Sequence, residues 1–144
     1  MQRAQAEEEL RRLSMEMRYL EQTAETLQQR ISMVNAALTD INYANMTLDG
    51  IEKEKENSEL LVPIGGSSYV KVKLADPNKV IIGLGSGVSI EKTLPEAKAT
   101  LKERLDELEK TMHSAQQQFS QVAERINSGR SRLENLLSTR EGKQ

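Results

Sequence analysis

Apolar side chains in the first third of this 144-residue chain recur in steps of three and four without a break, at Leu10, Leu13, Met17, Leu20, Ala24, Leu27, Ile31, Val34, Leu38 and Ile41. That is a period of ~3.5 residues, the heptad of a left-handed coiled coil rather than the rhythm of a helix lying on a globular core. The rule continues through Asn45 to Leu48. With Leu10 at position a, the a series is 10, 17, 24, 31, 38, 45 and the d series is 13, 20, 27, 34, 41, 48. The last third repeats the pattern at Leu101, Leu105, Leu108, Met112, Ala115, Phe119, Val122, Ile126, Gly129, Leu133 and Leu136, with Leu105 at a and Leu108 at d. Its start is marked by Thr93-Leu-Pro-Glu96, the form of a capping box, with Pro95 in the first turn where its missing N–H costs nothing. A chain patterned this way folds into helices that each bury one narrow seam against a partner helix.

The two seams are equally long, roughly 60 Å each at ~1.5 Å per residue. Folded back on one another, they align so that paired positions sum to 146: Leu10 faces Leu136, Leu13 faces Leu133, Leu38 faces Leu108 and Ile41 faces Leu105. Every a then meets a d, as antiparallel pairing requires, and Met17 meets Gly129 at a thin spot. Both chain ends lie at one end of the pair and the middle of the chain at the other. Pairing of each helix with another chain is the alternative; the equal seam lengths favour the intrachain hairpin. Asn45 and Lys98 are polar intruders in the seam, and Gly50 weakens the first helix before Asn57-Ser58 ends it.

Composition narrows the class. Only 3% of residues are aromatic and 37% apolar, too few large side chains for a well-filled globular core, while 29% are charged. That suits helices whose surface stays wet. The formal charge is −2, with both signs mixed along the chain and no basic stripe of the kind a nucleic-acid binder needs. No run of ~18 apolar residues is present, so no membrane helix is expected. The polar opening MQRAQAEEELRRL lacks the apolar segment of a signal peptide, and the absence of cysteine suits a cytoplasmic protein.

Enzyme chemistry finds no foothold. His113 is the only histidine, falls at an outer b position, and has no cysteine or second histidine with which to hold a transition metal. Gly83-Leu-Gly85-Ser-Gly87 has Val88 where a dinucleotide loop needs its third glycine, and no P-loop occurs. The carboxylate runs Glu7 to Glu9 and Glu52 to Glu56 read as solvated surface, and the sequon Asn45-Met-Thr47 as incidental. No cofactor and no metal are expected.

The middle breaks the helical rhythm. Glu59 to Ile64 ends at Gly65-Gly66, a pair suited to the positive φ angles of a tight hairpin. Ser68 to Leu74 alternates Val70, Val72 and Leu74 with Tyr69, Lys71 and Lys73, the period of a half-buried strand. Asp76-Pro-Asn-Lys79 is turn chemistry. Val80 to Leu84 and Val88 to Glu91 follow as a second pair around Gly85-Ser-Gly87. The expected architecture is α+β: an N-terminal coiled-coil helix over 1–56, two β-hairpins over 57–92 and a C-terminal helix over 93–144, one domain overall. Two hairpins are not stable alone in water and leave open edges, and the helices have used their seams on each other. The hairpins of several chains are therefore expected to build a shared sheet or barrel. The apolar residues for that oligomerisation platform are Leu60, Val62, Ile64, Val70, Val72, Leu74, Val80, Ile82, Leu84, Val88 and Ile90.

This plan resembles the alpha-type subunit of the prefoldin family, most closely its archaeal members. The stretch ELLVPIGGSSYVKVKLADPNKVIIGLGSGVSIEKTLPEA, residues 59 to 97, carries the likeness most specifically; two hairpins argue for alpha, since the beta type has one in that place. The resemblance implies a hexamer of two alpha and four beta subunits, with a β-barrel body and six coiled-coil tentacles. It further implies capture of unfolded proteins between the tentacle tips without ATP and delivery to a group II chaperonin. The tip residues would be Leu10, Leu13, Met17, Leu133, Leu136 and Leu137, with Leu137 and Met15 off the seam. The bland reading of the seam residues among them is that they are the last packed heptads. The rival function is a passive adaptor whose helices tether a specific folded partner.

Overall fold

The computed structural model describes the backbone of residues 2–142 and the side chains of residues 2–139. The outermost positions of the expected helices, Met1, Lys143 and Gln144, lie outside the described residues. The chain runs α1 (Gln2–Glu52), β1 (Glu59–Gly65), β2 (Ser68–Lys73), β3 (Lys79–Gly85), β4 (Val88–Thr93) and α2 (Leu94–Gly142). It divides into two compact units, residues 1–36 with 109–144, and residues 37–108.

In the first unit the two helices pack antiparallel, and burial follows the heptad. Leu13, Met17, Leu20, Leu27 and Val34 of α1 and Ala115 of α2 are buried, while Met112, Phe119, Val122, Ile126, Leu133 and Leu136 are half-buried. The expected register holds at Met17 and Gly129. A Cβ placed on Gly129 would lie 2.3 Å from the Met17 sulfur, so the methionine fills the space that glycine leaves. Ion pairs flank the seam, Arg132 to Glu9 at 2.6 Å and Arg130 to Glu21 at 3.8 Å. Both are exposed and contribute little to stability next to roughly 1.5–3 kcal/mol for each buried Leu or Met.

The second unit contains the hairpins. β1 pairs antiparallel with β2, and β3 with β4, in two separate two-stranded sheets. Their registers are copies of each other twenty residues apart: Glu59↔Lys73 becomes Lys79↔Thr93, Val62↔Val70 becomes Ile82↔Ile90, and both ladders shift just before the turn. The first turn is centred one residue later than expected. Gly66 (φ +56°) and Ser67 (φ +60°) are its two central residues, and Gly65 (φ +102°) is the residue at which the bulge ends. The second turn matches it with Ser86 (φ +53°) and Gly87 (φ +78°) after Gly85 (φ +93°). Two successive positive φ angles make a turn whose twist suits the flanking strands; the bulge moves the turn by one position.

Other boundaries shift for local reasons. α1 passes through Gly50 and ends at Glu52, short of the expected Glu56, where backbone bonds from Lys53 to Gly50 and from Glu54 to Ile51 tighten the final turn. The linker closes into β1 through Ser58, which accepts the Lys55 N–H on its Oγ. Between the hairpins Asp76 Oδ1 accepts the Asn78 N–H at 2.9 Å, the expected Asx turn. The capping box forms reciprocally: Thr93 Oγ1 accepts the Glu96 N–H and Glu96 Oε2 accepts the Thr93 N–H, both at 3.4 Å.

The core of this unit joins three elements. Leu48, Ile82, Leu94, Ala97 and Leu101 are buried together, with Ala44 and Val80 packed against them. Here Ile82 of β3 packs in one cluster with Leu48 of α1 and with Leu94, Ala97 and Leu101 of α2, and the heptad residue Lys98 lies at the edge. Lys98 is thus not a buried intruder. It is half-buried, and its ammonium reaches Asp49 at 3.0 Å and also Glu52.

Candidate functional site

Two surfaces were singled out by sequence. The first is the end of the first unit that holds the chain termini. Along α1 the seam residues Leu20, Met17 and Leu13 are buried, and Leu10 is half-buried. Across from them Leu133 and Leu136 are half-buried, and Leu137 is 40% exposed. Half-burial is not special to this end, since Ala24, Ile31, Phe119, Val122 and Ile126 share it farther along the seam; what sets the end apart is Leu137, an exposed leucine beside the half-buried Leu133 and Leu136. A cleft of about 310 Å³ lies there, floored by Leu10, Leu136 and Ala6 and rimmed by Gln2, Arg3, Glu7 and Thr139. A second, of about 370 Å³, is lined by Gln5, Glu8, Glu9, Arg12, Leu13, Glu16 and Arg132. Of the six expected tip residues, Leu10 and Leu136 share a cleft, Leu13 lines the other, Leu133 is half-buried, Leu137 is exposed at the surface, and Met17 is packed against Gly129. The first cleft combines apolar Ala6, Leu10 and Leu136 with charged Arg3 and Glu7.

The second surface is the hairpins. One face of β1–β2 carries Leu60, Val62, Val70 and Val72, and the other carries Glu59, Leu61 and Pro63 opposite Lys73, Lys71 and Tyr69. Among the described residues little covers either face: β2 is exposed throughout, and Leu60 alone in β1 is half-buried. Val62 and Val70 are each 43% exposed, and Ile64, in the bulge, is exposed. Leu74, just past β2, is half-buried and continues the ladder by exchanging backbone bonds with Ser58 and Asn57.

The second hairpin departs from the expectation. Ile82, expected on the shared surface, is only 5% exposed and belongs to the intrachain core, and Val80 is half-buried beside it. The cause is proximity: β4 runs into α2 without an intervening residue, which lays β3 on Leu94, Ala97 and Leu101. Two side chains of α2 bond the hairpin, Arg104 donating to the Gly83 carbonyl of β3 at 2.6 Å and Thr100 accepting from Lys92 Nζ of β4 at 3.0 Å. Leu84, Val88 and Ile90 remain exposed.

Sequence reasoning passed over the apolar residues on outer faces. Tyr19 and Met33 of α1 in the first unit, Tyr43 and Met46 in the second, and Ile81 of β3 are all exposed, as is Met15. Their heptad positions b, c and f and their strand alternation were readable, but single exposed apolar residues are ordinary on protein surfaces. Among the described residues, no group of three or more His, Asp or Glu is placed to hold a metal ion, and no helix is long and apolar enough to cross a membrane.

Comparison with known proteins bears on the same architecture. A family model described as prefoldin subunit matches residues 2–138. The prefoldin subunit alpha of Pyrococcus horikoshii is 33% identical over 124 residues, spanning 85% of this chain and 84% of the relative. That of Methanobrevibacter smithii is 27% identical over 138 residues, spanning 96% and 94%. Among solved structures, the filamentous PFD of Methanocaldococcus jannaschii superposes with a TM-score of 0.66 at 22% identity, covering 77% of this chain and 92% of its own. The prefoldin beta subunit of Thermococcus strain KS-1 superposes with a TM-score of 0.59 at 16% identity, covering 88% and 90%. These two share the fold, and the family match and the alpha-subunit relatives supply the ancestry. With two long helices, two hairpins between them and a match along nearly its whole length, this chain belongs to the prefoldin family of chaperone subunits.

Proposed function

We propose that this chain is the alpha-type subunit of a cytoplasmic, ATP-independent holdase, without enzymatic activity. In this reading it captures unfolded proteins at the terminal ends of its helices and hands them to a group II chaperonin. The observation that supports the client-binding part is the cleft lined by Leu10 and Leu136 near the terminal end, with Leu137 exposed next to it. Residues 57–92 form the platform and the helices over 1–56 and 93–144 the arms of this scheme. Assembly as a hexamer of two alpha and four beta subunits rests on the family resemblance. The exposed Val62, Val70 and Val72 support the platform, because a two-stranded hairpin with an uncovered apolar face gains stability only from neighbours.

The mechanism is multivalent. Each cleft holds one apolar segment weakly, and several arms around one space raise the effective concentration of the rest. Charged and Gln positions along the outer helix faces keep the arms apart.

The test is light scattering of a chemically unfolded protein diluted into nucleotide-free buffer, with this subunit assembled with its partners. A parallel assembly lacks residues 1–16 and 132–144 of this chain and the matching tips of the others. Suppression of aggregation by the intact assembly, lost on truncation while assembly persists, is the expected result. No suppression by the intact assembly refutes the holdase reading, and a tethering role then accounts better for the chain. Unchanged suppression after truncation moves the binding surface away from the termini.

A further inference from the structure

The two hairpins are the same object built twice. Strand lengths, pairing, bulge position and turn conformation coincide at an offset of twenty residues. Val62 occupies in the first the place of Ile82 in the second, and Val70 that of Ile90. Local sequence and backbone geometry therefore give them similar intrinsic stability, which for an isolated two-stranded hairpin is marginal. What differs is their support within the chain. Ile82 is 5% exposed in a five-residue core, whereas Val62 is 43% exposed. Gly83 has its carbonyl bonded by Arg104 and Lys92 is bonded to Thr100, while every strand residue of β1–β2 apart from Leu60 is exposed.

From this asymmetry we infer that the subunit assembles in two steps: β3–β4 is already anchored on α2 in the free chain, with Leu84, Val88 and Ile90 still exposed, and β1–β2 opens on its own until partner subunits cover it. The inference rests on the platform reading above for its second half only. Segments with few buried apolar contacts and exposed backbone bonds open locally well below the cost of global unfolding, and β1–β2 meets both conditions. Such a hairpin is the element that selects partners. Its apolar faces stay in exchange between open and paired states, and a wrongly paired neighbour is released without unfolding β3–β4 or the helices. The fixed β3–β4 hairpin meanwhile keeps the start of α2 in place.

The experiment is amide hydrogen exchange read by mass spectrometry, on the full chain alone and in the assembled complex. In the free chain, amides of Leu60–Ile64 and Tyr69–Lys73 are expected to exchange at least roughly tenfold faster than those of Val80–Leu84 and Ser89–Glu91. In the complex that gap closes. Ile82→Ala is expected to bring β3–β4 up to the rate of β1–β2 in the free chain. Arg104→Met, which removes only the bond to the Gly83 carbonyl, moves it part of the way and serves if Ile82→Ala does not fold. Equal exchange of the two hairpins in the free chain overturns the inference. A gap that persists unchanged in the complex overturns the coupling to assembly and the platform reading with it, while the difference in the free chain is read independently of either.

Discussion

Gly129 sits where a heptad calls for a large apolar residue, and its missing side chain is occupied by Met17, whose sulfur would lie 2.3 Å from a Cβ there. The pair behaves as one volume shared across the seam, so each residue's substitution depends on the other. Gly129→Leu forces Met17 out and is expected to cost about 1–3 kcal/mol by overpacking. Met17→Ala leaves a gap and costs about 2–3 kcal/mol. The double exchange, Met17→Ala with Gly129→Leu, keeps the volume and is expected to recover most of the loss. Urea unfolding of the three variants completes the cycle, and simple additivity would show that the two do not share the space. Lys98 offers a second residue-scale prediction. Its hydrogen bond to the Glu52 carboxylate, and then that to Asp49, raise the ammonium above its ordinary 10.5. A lysine whose folded pKa exceeds its unfolded one stabilises fully below the unfolded value and loses that contribution as pH rises through the folded value. Lys98→Met should therefore lower Tm slightly and by a constant amount through the neutral range. The gap to the parent should close only in alkali beyond 10.5, as thermal melts across pH would record.

Elements in this chain are held by their ends as much as by their faces. α2 begins at Leu94 because Thr93 and Glu96 satisfy each other's backbone donors, and because Pro95 gives up no bond there. The same start is tied to the second hairpin by the Leu94 N–H, which donates to the Asn78 carbonyl at 3.0 Å. Thr93→Ala is expected to cost about 1 kcal/mol, the usual loss at an N-cap, measured by chemical denaturation. Thr93→Ser should restore most of it, since the hydroxyl is what accepts. α1 ends with less definition: Gly50 lowers helix propensity, and bonds to Gly50 and Ile51 tighten the last turn.

For the whole molecule, the asymmetry of the hairpins separates folding from assembly. Val62→Asp with Val70→Lys places an opposite-charge cross-strand pair on a face that the free chain already exposes, so stability should change by no more than about 0.5 kcal/mol. Incorporation into a complex with partner subunits should be lost, which size-exclusion chromatography with light scattering reads directly. Ile82→Asp buries an unpaired charge in the three-element core and is expected to cost at least about 3 kcal/mol of the chain's own stability. Reversal of this pattern, with the first hairpin governing stability and the second assembly, would contradict the division drawn from burial.

Much of this was legible beforehand. The heptad spacing set which face of each helix is buried, since side-chain direction along a helix depends only on position; of the pairings expected from equal seam lengths, Met17 with Gly129 is the one seen in contact. The strands and the capping box were equally local, resting on alternation and on side chains that bond their own backbone. The first turn moved by one residue because a bulge depends on both strands at once. The open cleft at Leu10 and Leu136 was half visible: the residues were on the seam, but whether the seam closes over them is a matter of packing. The elements and their amphipathic faces were set by the residue pattern alone, because they follow from periods of 3.5 and 2 written into neighbouring residues, whereas the register between the helices, seen at Met17 and Gly129, is a matter of packing that a heptad repeat leaves free to slip by seven residues. Only the tertiary structure decided that Ile82 is core and Val62 is surface. Both sit in the same local pattern, and what separates them is that β4 leads straight into α2 and lays β3 on Leu94, Ala97 and Leu101, whereas β1 is set off from α1 by residues 53–58.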